Sequence, residues 1–210
     1  MRRGISALAA LAALLAAACA TVRPVAPYEA DRIRTAWEKK RASAFSSRRL
    51  KAMWKGNVSP TVGTVMHGYF LVWWDGETLV WKASAPLAGN VRSGTLRAGA
   101  EEGTTPFPSR IRPADAIGVL LGALDLSAIA RPVERIGDGY RLFLDGYGRA
   151  ATLDPKLSVV ALELPGPTRV TYVPGQGLPR EIEAISRDGR ARLELESLAP
   201  WPEGEPIPQG

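Results

Sequence analysis

Residues 58–98 constrain this chain more than any other stretch. Val62, Thr64, Val65, Tyr69, Phe70, Val72, Trp73 and Trp74 crowd β-branched and aromatic side chains into one run, which predicts a strand. Asp75-Gly76 predicts a tight turn, and Thr78-Leu79-Val80-Trp81 begins the strand that returns beside the first. The return strand ends at Ala85-Pro86-Leu87-Ala88-Gly89, where proline and glycine break the ladder and leave Leu87 on a connecting loop. A third strand starts near Asn90-Val91. So much Trp, Phe and Val demands a sheet with one strongly apolar face, and that face must be covered.

The rest of the chain supplies more strands and two helices to cover it. Glu29 to Ser46 predicts an amphipathic helix, with Ile33 and Trp37 four residues apart and Ala30, Ala44 and Phe45 near the same side. Arg48 to Val58 alternates, Leu50, Ala52 and Trp54 against Arg49, Lys51 and Lys55, as a half-buried strand does. Ala100 to Arg112 reads as a loop. Pro113 to Leu124 predicts a short helix with proline in its first turn, and Asp125 to Ala130 continues as an apolar cap. Period two then returns in Tyr140–Leu144, Ala150–Leu153, Leu157–Leu164, Arg169–Val173, Glu181–Ile185 and Arg192–Glu196. Nine to eleven strands in one meander are too many for a flat sheet. The expected fold is α+β, a curled antiparallel sheet forming an incomplete half β-barrel with short helices plugging its concave side.

Composition bounds the setting. The chain has 210 residues and 46% hydrophobic content, enough for one domain with a real core. Met1-Arg2-Arg3 and the apolar run Ile5 to Leu15 predict a secretory signal over residues 1–18, too short to remain as a membrane span. Residues 19–28 then form a tether, 29–199 the domain, and 200–210, with four prolines, a disordered tail. Strands this short do not suit a transmembrane barrel. The net charge is +6, of which Arg2 and Arg3 supply two. The basic residues are scattered and no recognition motif accompanies them, so no nucleic-acid partner is expected.

Catalytic chemistry has little to stand on. His67 is the only histidine and lies mid-strand, which predicts a satisfied structural residue. Glu101-Glu102 sits in a glycine-flanked loop as a solvated pair. Gly137, Gly139, Gly146 and Gly148 are turn glycines between strands, outside the strand–turn–helix setting that phosphate binding needs. No catalytic residue, metal site or cofactor is expected, and the chain does not read as an enzyme.

Two resemblances sharpen this reading. Ala16-Ala17-Ala18 before Cys19, with Leu14-Leu15 upstream, resembles a lipobox, although Ala16 stands where leucine is usual. Cys19 is the one cysteine, so it forms no intrachain disulfide. The resemblance implies cleavage before Cys19, its acylation by palmitate-type chains and a stable membrane anchor. Ala20 in place of Asp implies the outer membrane, on its periplasmic side. The leading helix, curled sheet and inserted helices resemble the lipoprotein-localisation fold shared by LolA and LolB, and LolB-like lipoproteins most of all. The matching residues are Ala85-Pro86-Leu87-Ala88-Gly89, Ile117-Gly118-Val119-Leu120-Leu121-Gly122, Tyr172, and Gly177-Leu178-Pro179 leading into Ile182. The resemblance implies an apolar cavity for lipoprotein acyl chains, a membrane and cargo-transfer loop at Pro86 and Leu87, and a periplasmic carrier protein as partner. Trp54, Phe70, Val72 and Leu79 are then either cavity-lining residues or plain core, and Leu87 is either exposed or folded back. The competing expectation is a non-catalytic structural or assembly lipoprotein that docks a protein through its sheet surface.

Overall fold

The computed structural model describes residues 23–46, 48–61, 65–84, 91–99, 103, 105, 107 and 111–206. Its elements follow in chain order as β1 (Arg23–Pro24), α1 (Pro27–Ala44), β2 (Leu50–Pro60), β3 (Met66–Trp74), β4 (Thr78–Ser84) and β5 (Val91–Arg97). Next come α2 (Pro113–Leu121), β6 (Glu134–Ile136), β7 (Gly139–Phe143), β8 (Ala150–Leu153) and β9 (Val159–Leu164). The last three strands are β10 (Thr168–Val173), β11 (Glu181–Ser186) and β12 (Gly189–Pro200). All twelve strands belong to one antiparallel sheet, ordered β1-β6-β7-β8-β9-β10-β11-β12-β2-β3-β4-β5. The edges β1 and β5 do not pair with each other, so the sheet curls without closing. The chain is therefore an α+β half-barrel.

The topology departs from a single meander. Two meanders, β2–β5 and β6–β12, are joined where β12 lies antiparallel to β2, from Pro200 opposite Leu50 to Gly189 opposite Pro60. A bulge between Leu195 and Ser197 adjusts the register. Close approach at this seam requires Gly56, because an added Cβ there would overlap the Arg192 carbonyl oxygen. The expected tether also contributes: Arg23 and Pro24 pair with Arg135 and Glu134 on β6, so the folded domain starts before residue 29. At the other end β12 reaches Pro200, and Trp201 is buried beneath the Arg49 guanidinium, 4.0 Å from the ring centre. Residues 200 and 201 thus belong to the domain and not to a tail.

Local chemistry explains the elements. The β3–β4 turn is held by Asp75, whose Oδ1 accepts from the amides of Glu77 (2.9 Å) and Thr78 (2.6 Å). Helix α1 starts at Pro27 and buries Ala30, Ile33 and Trp37 along one stripe, with the Trp37 indole N–H donating to the Leu126 carbonyl at 2.8 Å. Helix α2 ends at Leu121, earlier than its apolar sequence suggests. Gly122 takes a left-handed φ of 73°, and the amides of Gly122 and Ala123 both donate to the Gly118 carbonyl. Residues 125–130 consequently carry on without helix. No described helix is long and apolar enough to cross a membrane. His67, expected mid-strand as a structural residue, lies on β3 and is exposed.

The apolar face of every long strand and both helices meet in one core, in which Ile33, Trp37, Trp54, Trp74, Leu79, Trp81, Leu96 and Ile117 are at most 2% exposed. Each large apolar side chain buried this way contributes about 1.5–3 kcal/mol. One charged group crosses this boundary. Asp115 on α2 accepts from Arg149 Nε at 2.9 Å and from its terminal nitrogen at 3.0 Å, while Asp145 receives the remaining Arg149 nitrogen at 2.6 Å. Both partners are almost fully buried, so the fork is worth most as a fully satisfied unit fixing α2 to the β7–β8 turn. Asp115→Ala should therefore cost about 3–5 kcal/mol by leaving two of the buried Arg149 nitrogens unmet, with only Asp145 still paired. Urea unfolding measures it, and a loss below about 1 kcal/mol would refute this role.

Candidate functional site

Period-two alternation places the four residues singled out on the sheet together on its inner face. Trp54, Phe70, Val72 and Leu79 are each no more than 5% exposed. Trp54 stands opposite Phe70, Ala52 opposite Val72, and Trp74 opposite Leu79. The Trp54 and Phe70 ring centres are 6.4 Å apart and those of Phe70 and Trp81 5.7 Å, while Phe45 meets Trp74 edge-on at 6.1 Å. Trp74 and Trp81 belong to this aromatic cluster as much as the four. The alternation 70, 72, 74 and 79, 81 already points to them.

Among the described residues these side chains pack against one another in a single core cluster. A void of about 30 Å³ lies beside Ala44, Leu50, Leu121, Leu178 and Leu198, at the C-terminal ends of α1 and α2, and none of the four residues borders it. Pockets for small ligands measure about 300–1,000 Å³. A larger hollow of about 270 Å³ over β10–β12 is lined by Glu181, Glu183, Arg190 and Arg192, which pair with one another across the strands. It is a charged groove on the convex side.

Two polar groups stand out in the apolar interior. The indole N–H groups of Trp54 and Trp74 are buried and have no acceptor. An unsatisfied buried donor costs about 1–3 kcal/mol, and natural cores hold few. Nothing in the sequence signals these two, because a Trp that finds an acceptor and one that does not are spelled alike.

Helix α2 plugs the concave side, and several residues distant in sequence converge on its C-terminal end. The buried Tyr172 hydroxyl donates to the Val119 carbonyl at 3.1 Å. Leu178 is buried, and an added Cβ on Gly122 would come within 2.8 Å of the Pro179 ring. Gly118 lets Ala123 and Leu124 fold back against the helix, since a Cβ there would lie 2.7 Å from the Ala123 carbonyl oxygen. Cys19, Pro86, Leu87 and the Glu101-Glu102 pair lie outside the described residues; β4 ends at Ser84 and β5 begins at Val91. Among the described residues no group of three His, Cys, Asp or Glu side chains is placed to hold a metal ion.

No protein-family model matches the sequence, and no curated protein matches it. Among solved structures, the chain is similar to the crystal structure of the LolA superfamily protein NE2245 from Nitrosomonas europaea. The identity is 10%, the TM-score 0.46, and the match covers 81% of this chain and 94% of that one. At that level the likeness assigns no residue and no activity, and the half-barrel rests on the strand pairing itself.

Burial holds the Tyr172 phenol well above its ordinary pKa. The neutral form is thus favoured by folding, so this tyrosine contributes stability that is fully present below about pH 10 and is lost as pH rises further. Tyr172→Phe should flatten the alkaline loss of stability and cost about 1 kcal/mol at neutral pH for the Val119 hydrogen bond. Denaturation midpoints at pH 7 and above pH 10 test both parts. Parallel pH curves for the two proteins would overturn the assignment.

Proposed function

We propose that the chain is an outer-membrane lipoprotein, anchored through an acylated Cys19 and facing the periplasm, that binds lipid acyl chains inside its half-barrel and acts in the reception and insertion of lipoproteins. The observation that carries this reading is the inner face: it is apolar throughout, lies under a sheet that does not close, and holds two indole donors without acceptors. An acyl chain supplies the apolar body such a face accepts, and its ester or amide carbonyl supplies an acceptor for Trp54 or Trp74. The described side chains of this face pack against α1 and α2, so an acyl chain would enter as α2 moves aside. A greasy residue at the mouth would lower the barrier for a chain that must never meet water, which is the role given to Leu87 on the 85–90 connection, with Pro86 shaping it. The cargo would arrive from a periplasmic carrier.

The close packing of the described core favours a second reading, a structural or assembly lipoprotein that docks a protein through its sheet. Val65 and Tyr69 are exposed, and the neighbouring Met53, Leu71 and Trp73 are half-buried on the outward positions of β2 and β3. Native mass spectrometry with an acylated peptide separates the two. A one-to-one adduct that free fatty acid competes away supports the acyl-binding reading, and its absence with a hydrogen-exchange-rigid interior supports the scaffold. Within the first reading, Trp54→Phe should weaken the adduct about two- to tenfold, the loss of one neutral hydrogen bond. Leu87→Glu should leave the adduct intact and abolish transfer to vesicles; unchanged transfer would remove Leu87 from the pathway.

A further inference from the structure

The N-terminal end of α1 carries a surface that acyl binding does not use. Arg23 on β1 stands opposite Arg135 on β6, and Arg34 on α1 donates to the Arg131 carbonyl at 3.0 Å. Five arginines, counting Arg32, thus gather at one end of the fold. The carboxylates among them are paired, Glu134 only loosely, since its buried Oε2 makes no hydrogen bond. Glu29 accepts from Arg135 and from the Tyr140 hydroxyl, both at 2.7 Å, Asp31 pairs with Arg34 at 3.1 Å, and Glu134 with Arg141 at 3.6 Å. The Tyr140 hydroxyl, with Arg135 and Arg32 beside it, holds the Glu29 carboxyl below its usual range, so the pairing persists near neutral pH.

Arg23, Arg32 and Arg131 are exposed and form no ion pair within 4 Å among the described residues, Arg32 acting on Glu29 only from farther off. Arg131 lies 5.5 Å over the Phe143 ring, which fixes its side chain outward along an apolar support. Tyr28, in the first turn of α1, is 83% exposed beside them. An aromatic ring offered to solvent amid free guanidinium groups is the composition of a membrane interface, where rings sit at headgroup depth and arginines meet phosphates.

We propose that this end of the molecule docks on anionic phospholipid head groups, with Arg23, Arg32 and Arg131 toward the phosphates and Tyr28 at the interface. Position supports the charge argument. Cys19 is four Cα steps from Arg23, about 15 Å at most, so an acyl anchor there would hold these arginines within reach of the lipid surface. The inference rests on the membrane-anchored part of the proposed function and is independent of acyl binding. Each arginine near an anionic surface favours binding about fivefold, so three together give on the order of a hundredfold.

The test couples residues 19–210 through Cys19 to a maleimide phospholipid in phosphatidylcholine vesicles, with or without phosphatidylglycerol. Arginines are then footprinted with phenylglyoxal and mass spectrometry. With phosphatidylglycerol at low salt, modification of Arg23, Arg32 and Arg131 should fall several-fold and recover at high salt, while Arg190 and Arg192 on the convex side stay unchanged. The combined Arg23→Gln, Arg32→Gln and Arg131→Gln variant should lose the phosphatidylglycerol-dependent part of vesicle binding while keeping its unfolding midpoint. Equal modification with and without phosphatidylglycerol, or protection that moves to Arg190 and Arg192, overturns the proposal. Because the coupling is chemical, the outcome does not depend on acylation in the cell. Failure of acyl-peptide binding would leave this footprint unaltered.

Discussion

The pairing of β12 with β2 is the contact on which the rest of the structure depends. Without it the chain would hold two separate meanders, β2–β5 and β6–β12, each with an apolar face wider than one short helix can cover. Joined, the two sheets share a single concave face, and α1 and α2 suffice to plug it. The seam has to be long because it brings Leu50 against Pro200 across most of the chain. Its local requirement is modest by comparison: a residue without a side chain at Gly56, where the Arg192 carbonyl presses close, and a bulge near Leu195 that lets the inward alternation continue on both sides. Long-range closure of this kind is slow to find, and it makes the C-terminal strand as necessary to the core as the aromatic run of β3.

How far the sequence could be read follows from the range of the forces involved. Hydrophobic alternation and turn chemistry act over a few residues, so Asp75-Gly76, the stripe of Ile33 and Trp37, and the strands from Tyr140 onward are visible in the order of residues alone. Strand order is not local. Nothing in Arg23-Pro24 announces β6 as a neighbour, and a proline-rich stretch looks like a tail until Trp201 is found beneath Arg49. The end of α2 shows a third case. The apolar run continues to Leu124, but Gly122 can adopt the left-handed conformation and Gly118 accepts the returning chain, so capping outweighs hydrophobicity. For the site, alternation identified Trp54, Phe70, Val72 and Leu79 as inward and could not distinguish a lined cavity from a packed core. That distinction depends on how side chains from ten strands and two helices pack in one volume.

The interior contains both ways in which a polar group can be buried. Asp115 and Arg149 are buried with every strong contact made, each guanidinium nitrogen meeting a carboxylate oxygen, and the result ties α2 to the far meander. Trp54 and Trp74 are buried in the same core with their N–H groups unmet. In the acyl-binding proposal these two donors are the groups that a ligand carbonyl would meet.

Helix α1 relates this interior to the arginine surface. Eighteen residues at about 1.5 Å each place some 27 Å between its two ends. The free arginines and Tyr28 gather at the N-terminal end, and the void beside Leu50, Leu121 and Leu178 opens at the C-terminal end. Contact with a head-group layer at one end therefore leaves the other unobstructed. A protein held this way could keep one end of its plugging helix against lipid while the other meets an incoming partner. The rigid element joining the two is the one whose apolar stripe, Ala30, Ile33 and Trp37, is sealed into the core along its length. Helix α2 is half as long and is tied down by Tyr172, Pro179 and the Asp115–Arg149 fork, so both helices are held against the sheet by contacts from distant parts of the chain.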